Sequence, residues 1–312
     1  MGLEGYNLNQ RLGINLQVKK HQSLIPMYHF MNGKICMITG ATSGVGESAA
    51  RALAEMGATL ILVSRNPERC ADTTQRIRQL AGNQRIDYLV ADLSSQAQIR
   101  QVARDFQSRY PRLDVLVNNA GALFMNRRLS EDGIEMTFAL NHLGYFLLTH
   151  LLLDSLKAAA PARIVNVSSD AHRGASIHFN DLQFDRSFNG LAAYAQSKLA
   201  NVLFTFELAR RLNGLQVTAN ALHPGFVATR FGHNNQWLFN LGMRLAHLFA
   251  LSPEQGAQTI IYLASSPQVE GVSGQYFVKK RSVRADPAAY DLETAQHLWR
   301  ISAEIVGVKS DA

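Results

Sequence analysis

Lys34-Ile35-Cys36-Met37-Ile38-Thr39 runs straight into Gly40-Ala41-Thr42-Ser43-Gly44-Val45-Gly46, and a helical pattern follows to about Met56. The first stretch reads as a buried strand and the second as a glycine-rich turn. A strand, a glycine turn and a helix start together make a phosphate site. The glycines let the backbone approach a pyrophosphate, and the helix N-terminus offers free N–H groups and positive dipole. The spacing is G-x-x-x-G-x-G, not G-x-G-x-x-G. A glycine turn alone is also an ordinary tight connection, but the flanking strand and helix favour a dinucleotide. Candidate contacts are Gly40, Thr42, Ser43, Gly44, Val45 and Gly46.

A second apolar strand, 59–63, ends at Ser64-Arg65, with no acid before Glu68. NAD sites place a carboxylate here to bond the ribose 2′-hydroxyl. An arginine beside a small hydroxyl residue suits a 2′-phosphate instead, so NADP(H) is expected over NAD(H). The bland alternative is a surface arginine after a strand.

The alternation continues outward from this unit. A helix is expected over 67–80, a strand over 86–91 ending at Asp92-Leu93, and a helix over 95–110. A strand over 114–117 ends at Asn118-Asn119-Ala120-Gly121. These tips share the carboxyl edge with the glycine turn, and in open parallel sheets that edge forms the ligand crevice. Asp92 reads equally as an acid near a helix start or as a partner for the adenine amino group. A long helix, 131–158, carries Asn141-His142-Leu143-Gly144. Mid-helix asparagine is costly relative to alanine, which singles out Asn141. His142 reads as a packed or surface histidine. The strand 163–167 ends at Ser168-Ser169, and a long loop, 170–191, holds His172 and His178. That spacing invites a metal, but no cysteine or paired acid supports one. Tyr194-Ala195-Gln196-Ser197-Lys198 follows on a helix reaching 212. Residues four apart share a helix face, so the lysine charge is expected to lower the pKa of the phenol and make it a proton donor and acceptor. A strand over 217–222 ends at His223-Pro224-Gly225-Phe226-Val227-Ala228-Thr229. The segment 236–251 is strongly apolar, and core packing, cover for an apolar substrate and contact with a membrane surface all fit it. A helix over 252–264, a last strand over 273–278 and a C-terminal helix to about 308 complete the chain.

This spacing gives an α/β fold, a doubly wound parallel sheet of Rossmann type with right-handed crossovers, in one domain with a helical substrate lid over about 230–252. Residues 1–32 are expected to form an N-terminal extension, and 33–312 the dinucleotide-binding catalytic domain. The chain has 312 residues, 47% of them hydrophobic, 18% charged, with a net charge of +7. That composition excludes a disordered chain. The basic residues are dispersed, without an arginine-rich arm or zinc spacing, so nucleic acid is not an expected partner. Cys36 and Cys70 are the only cysteines, which excludes a disulfide framework. Residues 1–30 are polar and mixed, and no run of about 18 apolar residues occurs, so neither a signal peptide nor a spanning helix is expected. The expected location is cytoplasmic, with peripheral membrane contact left open.

The set Thr39 to Gly46, Asn118 to Gly121, Asn141, the serine pair, Y-A-Q-S-K and H-P-G-F-V-A-T, in that order over about 33–280, resembles the short-chain dehydrogenase/reductases. N-V-S-S-D-A-H-R-G, I-H-F-N-D-L and Y-A-Q-S-K-L-A-N-V-L-F resemble its retinol dehydrogenase branch. The resemblance implies Tyr194 as acid/base and Lys198 as the group that binds the nicotinamide ribose and poises the tyrosine. It implies Ser169, rather than Ser168, as the hydrogen-bond donor to the substrate oxygen, and Asn141 as holder of a water linking Lys198 to solvent. Pro224, Gly225, Val227 and Thr229 would flank the nicotinamide carboxamide. Ser64, Arg65, Asp92, Leu93, Asn118, Ala120 and Gly121 complete the expected cofactor set. Membrane-bound members of the branch carry an apolar N-terminal anchor, whereas residues 1–32 here match no such segment, which points to a soluble or peripheral enzyme. The implied reaction is hydride transfer between NADPH and an apolar aldehyde or ketone, or the reverse from an alcohol, in a homodimer or homotetramer. Two alternatives stand beside it: a non-catalytic NADP(H)-sensing or scaffold protein, and a reductase of an activated carbon–carbon double bond.

Overall fold

The computed structural model describes residues 30–226 and 251–310. The expected lid over 230–252 therefore lies outside the described residues except at its last two positions, and so do 1–29 of the N-terminal extension. The strands are β1 (Ile35–Thr39), β2 (Thr59–Ser64), β3 (Ile86–Val90), β4 (Val115–Asn118), β5 (Ala162–Val167), β6 (Val217–His223), β7 (Tyr276–Val278) and β8 (Arg281–Val283). They form one sheet in the order β3-β2-β1-β4-β5-β6-β7-β8. Seven strands are parallel, and β8 pairs antiparallel with β7. The sequence pattern missed β8. It is a three-residue edge strand with no buried residue, so it carries no buried alternation to read.

The described helices are α1 (Gly44–Glu55), α2 (Pro67–Ala81), α3 (Gln96–Arg109), α4 (Met136–Ala158), α5 (Gly190–Arg211), α6 (Pro253–Ser265) and α7 (Leu292–Val306). Successive strand side chains point to opposite faces, so each buried strand serves two cores. On one face Met37, Ile61, Val63, Leu116 and Ile164 pack under α3, α4, α5 and α7. On the other, Cys36, Ile38, Leu60, Leu62, Val117 and Val165 pack under α1 and α6. Each fully buried aliphatic side chain contributes about 1.5–3 kcal/mol. Helix starts are set by side chains: Asn66 accepts from Arg69 N ahead of Pro67, Asn189 accepts from Leu191 N and Ala192 N, and Ser252 with Gln255 closes a capping box.

α4 starts at Met136, five residues later than the sequence pattern places it, because Glu135 caps it by accepting from Thr137 N and Phe138 N. It opens into a π turn over Ala139–Leu143. By length and composition alone this helix could cross a membrane, the one such helix among the described residues. Asn141, His142, Thr149 and His150 break the apolar run without offsetting its leucines and phenylalanines. Its most apolar window is 78% buried inside the protein, the mark of a core helix. α7 closes over α4 and α5: Trp299 packs edge-on to Phe146 at 4.9 Å and lies 5.8 Å from Phe204.

Candidate active site

The strand order reverses between β1 and β4, and the crevice of such a sheet opens at that point. The glycine turn lies on one side of it. A side chain on Gly40 (φ +66°) would come within 2.8 Å of Ala120 Cα, and one on Gly46 within 2.4 Å of both Asn119 Nδ2 and the Gly40 carbonyl oxygen. The turn is thus pressed against the β4 tip. Asn119 fastens the two, with Nδ2 donating to Thr39 O at 2.9 Å and Gly40 O at 3.2 Å. Thr39 Oγ1 answers by accepting from Asn119 N and Ala120 N at 2.8 and 3.0 Å. Ser43 is the N-cap of α1 yet makes no side-chain cap bond, so its hydroxyl leaves the helix's first N–H groups uncapped. Those features fit a dinucleotide pyrophosphate.

At the β2 tip, Thr42 Oγ1 and Ser64 Oγ are 3.0 Å apart. Arg65 is exposed beside them, and within the described residues its guanidinium has no hydrogen-bond or ion-pair partner. Asp92 folds locally, with Oδ1 accepting from Ser94 N at 2.9 Å and Ser94 Oγ at 2.7 Å, which accounts for one of its two oxygens. Leu93 is buried, and its carbonyl oxygen would lie 2.6 Å from a side chain on Gly144, so the β3 tip sits directly on α4. Asn118 points into the fold. Both of its amide hydrogens go to buried partners, Thr149 Oγ1 at 2.9 Å and Asn166 Oδ1 at 2.8 Å. Of the asparagine pair, it is the neighbour Asn119 whose side chain reaches the glycine turn. The sequence pattern held the signal, a second asparagine in the same motif, but not which of the two faced the turn.

Across the crevice, Gly121 brings the β4 tip over the helical groups. A side chain there would meet Asn141 Oδ1 at 3.1 Å and Lys198 Nζ at 3.5 Å. Asn141 is fully buried at the π turn. It exchanges hydrogen bonds with the Ala122 backbone, accepting from N at 2.9 Å and donating to O at 3.0 Å, and donates to Ser197 Oγ at 3.0 Å. Ser197 in turn donates to Tyr194 O at 2.7 Å. The mid-helix asparagine is thus a cross-brace between the β4 tip and α5.

The serines diverge because adjacent strand-end residues face opposite ways. Ser168 is buried and donates to Lys198 O at 2.7 Å. Ser169 Oγ accepts from Ala171 N at 3.2 Å and hydrogen-bonds the Tyr194 side chain. Lys198 is buried, with Nζ donating to Val167 O at 3.2 Å and lying 5.5 Å from the Tyr194 ring centroid. The expected lowering of the phenol pKa is reversed. Burial pushes Tyr194 above its ordinary value, and the Ser169 hydrogen bond pulls only part of the way back. The same desolvation brings Lys198 down to about 7. Removing water from both groups outweighs an attraction at this separation.

Gly225 takes φ +92° and faces Leu251, whose N–H donates to Phe226 O at 2.7 Å. The described chain therefore leaves and re-enters at one point beside Pro224, at the β6 tip. Val227 and Thr229 lie outside the described residues. His142 is fully buried, with Nε2 2.8 Å from Ser302 Oγ, and burial lowers its pKa to about 3. His172 is also buried and bonded to backbone groups rather than turned toward His178.

The family model described as short chain dehydrogenase matches residues 34–237. Retinol dehydrogenase 14 of Mus musculus is 45% identical over 294 residues, covering 89% of this chain and 87% of that protein. Retinol dehydrogenase 13 of Homo sapiens is 43% identical over 284 residues, covering 89% and 86%. Among solved structures, an uncharacterized protein from Mycobacterium paratuberculosis superposes with a TM-score of 0.73 at 30% identity, over 89% of this chain and 95% of that one. Pseudomonas aeruginosa RhlG in an NADP active-site complex gives 0.64 at 28%, over 80% and 96%.

Proposed function

The chain belongs to the short-chain dehydrogenase/reductase family, in its retinol dehydrogenase-like branch, and on that premise we propose that this oxidoreductase interconverts an apolar aldehyde or ketone and its alcohol with NADP(H). The observation that carries the proposal is the meeting of Ser169, Tyr194 and Lys198 at the carboxyl edge, next to a glycine turn shaped for a dinucleotide. The nicotinamide supplies or takes the hydride. Tyr194 gives its phenolic proton to the oxygen that becomes the alcohol, and Ser169 stabilises negative charge on that oxygen by hydrogen bonding. Lys198, buried beside the Tyr194 ring, would bind the nicotinamide ribose and keep the tyrosine poised. Asn141 and Ser197 hold α5 in register with the β4 tip.

The NADP(H) preference draws support from Thr42, Ser64 and the exposed Arg65 at the β2 tip, which has no partner among the described residues. An apolar substrate draws support from the composition of 236–251, inserted between β6 and α6. The relatives' names give retinol as their substrate, which places retinal among the compounds to try. The test is NADPH oxidation against retinal, medium-chain aldehydes, steroid ketones and quinones. Turnover with an apolar carbonyl is expected. Tight NADPH binding with no turnover on the whole panel would favour the dinucleotide-sensing alternative.

A further inference from the structure

Two histidines outside the proposed chemistry bond one peptide unit beside it. That unit joins Ser169 to Asp170. Its carbonyl oxygen lies 2.7 Å from His172 Nδ1, and its N–H donates to His223 Nδ1 at 3.3 Å. The far nitrogen of His172 accepts from Asp286 N at 3.1 Å, and that of His223 stands 3.6 Å from Asp170 Oδ2. A carbonyl oxygen only accepts, and a backbone N–H only donates. His172 must therefore carry its proton on Nδ1 and keep Nε2 bare. His223 must keep Nδ1 bare and carry its proton on Nε2, facing the carboxylate.

We infer that His172 and His223 are positioning residues: as neutral imidazoles of opposite tautomer they clamp the Ser169–Asp170 peptide and so aim the Ser169 hydroxyl at Tyr194. The inference rests on the role proposed for Ser169. Protonating His223 sets an Nδ1–H against the Asp170 N–H and releases that side of the clamp, whereas protonating His172 sets an Nε2–H against the Asp286 N–H and frees only the outer anchor of that ring.

The charges around both rings bear on when this happens. His223 faces Asp170, His172 and Arg173 from the segment after β5, and Lys198 from α5. His172 faces Asp170, Arg173 and Asp286, and the Tyr276 ring of β7 packs edge-on to it at 4.7 Å. Asp170 is itself engaged on Oδ1 by Tyr276 Oη at 3.1 Å and Arg173 Nε at 3.3 Å. Burial lowers both histidines below their ordinary range, against the pull of Asp170, so the clamp is closed at neutral pH and opens on the acid side.

The first test reads the tautomers without any substrate. Full-length protein labelled with 15N-histidine is followed by long-range proton–nitrogen correlation, with His223→Asn and His172→Gln assigning the two rings. At about pH 7.5 His223 should be in the Nε2–H form and His172 in the Nδ1–H form. An imidazolium at either position, or the same tautomer at both, overturns the clamp. The second test uses decanal and NADPH across about pH 5–8. His223→Leu should lower kcat roughly 10- to 100-fold, the scale of a misplaced catalytic group, with the KM for NADPH little changed. His223→Asn, whose amide oxygen replaces Nδ1 as acceptor, should restore most of that loss and shift the acid limb. Equal kcat and pH profile in both variants and wild type overturns the clamp. If wild type shows no turnover that depends on Tyr194, the proposed function fails, and the tautomers alone decide the clamp.

Discussion

Ser168 turns its hydroxyl away from the crevice and donates it to the main-chain carbonyl of Lys198 at 2.7 Å, tying the β5 tip to the helix that carries the site. Ser169, one residue on, meets Tyr194. Alanine at the two positions should therefore separate stability from rate. Ser168→Ala should lower unfolding free energy by about 1 kcal/mol, the usual worth of a buried hydrogen bond, with small effect on kcat. Ser169→Ala should lower kcat by about 10²-fold, as when one donor to a developing oxyanion is lost, with little change in stability. Urea unfolding and steady-state kinetics on both variants check this. The reverse pattern would move the role to Ser168.

Tyr194→Phe removes the proposed proton donor and leaves the ring. The expected loss in kcat is roughly 10²- to 10⁴-fold, the scale of general acid–base catalysis. NADPH binding, followed by fluorescence, should persist. Turnover close to wild type in this variant would falsify the acid/base role.

The fold was legible because its signal is repetitive. Buried strands alternate with helices, and each strand tip carries a short polar or glycine motif. β8 escaped because three exposed residues on a sheet edge have no pattern to show. Which neighbour in a motif faces the crevice was legible only in part. Asn118 and Asn119, like Ser168 and Ser169, differ by the half-turn of a strand, and the sense of that alternation is set by packing. The electrostatics were the least legible. A tyrosine and a lysine four apart suggest mutual stabilisation, but burial depends on residues far away in sequence, and here burial dominates both groups. Likewise His172 and His223 meet at the Ser169–Asp170 peptide only once β5 and β6 lie side by side.

Arg65 stands exposed beyond the Thr42–Ser64 pair with no partner among the described residues. If its guanidinium serves a 2′-phosphate, Arg65→Asp should weaken NADPH by about tenfold or more, the loss expected for one charge-assisted contact, while NADH binding is held or improved. Dissociation constants for both nucleotides decide it. A parallel loss for both would assign Arg65 a general electrostatic part.

Gly46 has no room for a methyl group, since its position lies 2.4 Å from both Gly40 O and Asn119 Nδ2. Gly46→Ala should cost about 1–3 kcal/mol through overpacking, and should loosen the turn that faces the pyrophosphate. Both the melting temperature and NADPH affinity should fall. An unchanged melting temperature would show that the β4 tip yields to the added carbon.

His142 makes stability depend on pH. Burial takes its pKa from 6.5 to about 3 in the folded chain, with Nε2 held by Ser302. Below pH 6.5 the unfolded chain binds a proton that the folded chain refuses, so unfolding becomes easier as pH falls and remains progressively easier until the folded group titrates. The slope for one such group is about 1.4 kcal/mol per pH unit, so His142 alone should remove about 2 kcal/mol between pH 7 and pH 5. His172 and His223 are shifted the same way and add to the trend. Urea midpoints at the two pH values measure the sum, and His142→Gln isolates one part of it. That variant should be less stable at pH 7, where it loses a well-packed ring among Phe138, Phe146 and Phe204. Its stability difference between the two pH values should nevertheless shrink by about 2 kcal/mol. An undiminished difference would mean that the ring is already solvated in the folded chain and that acid sensitivity resides in the clamp histidines beside the site.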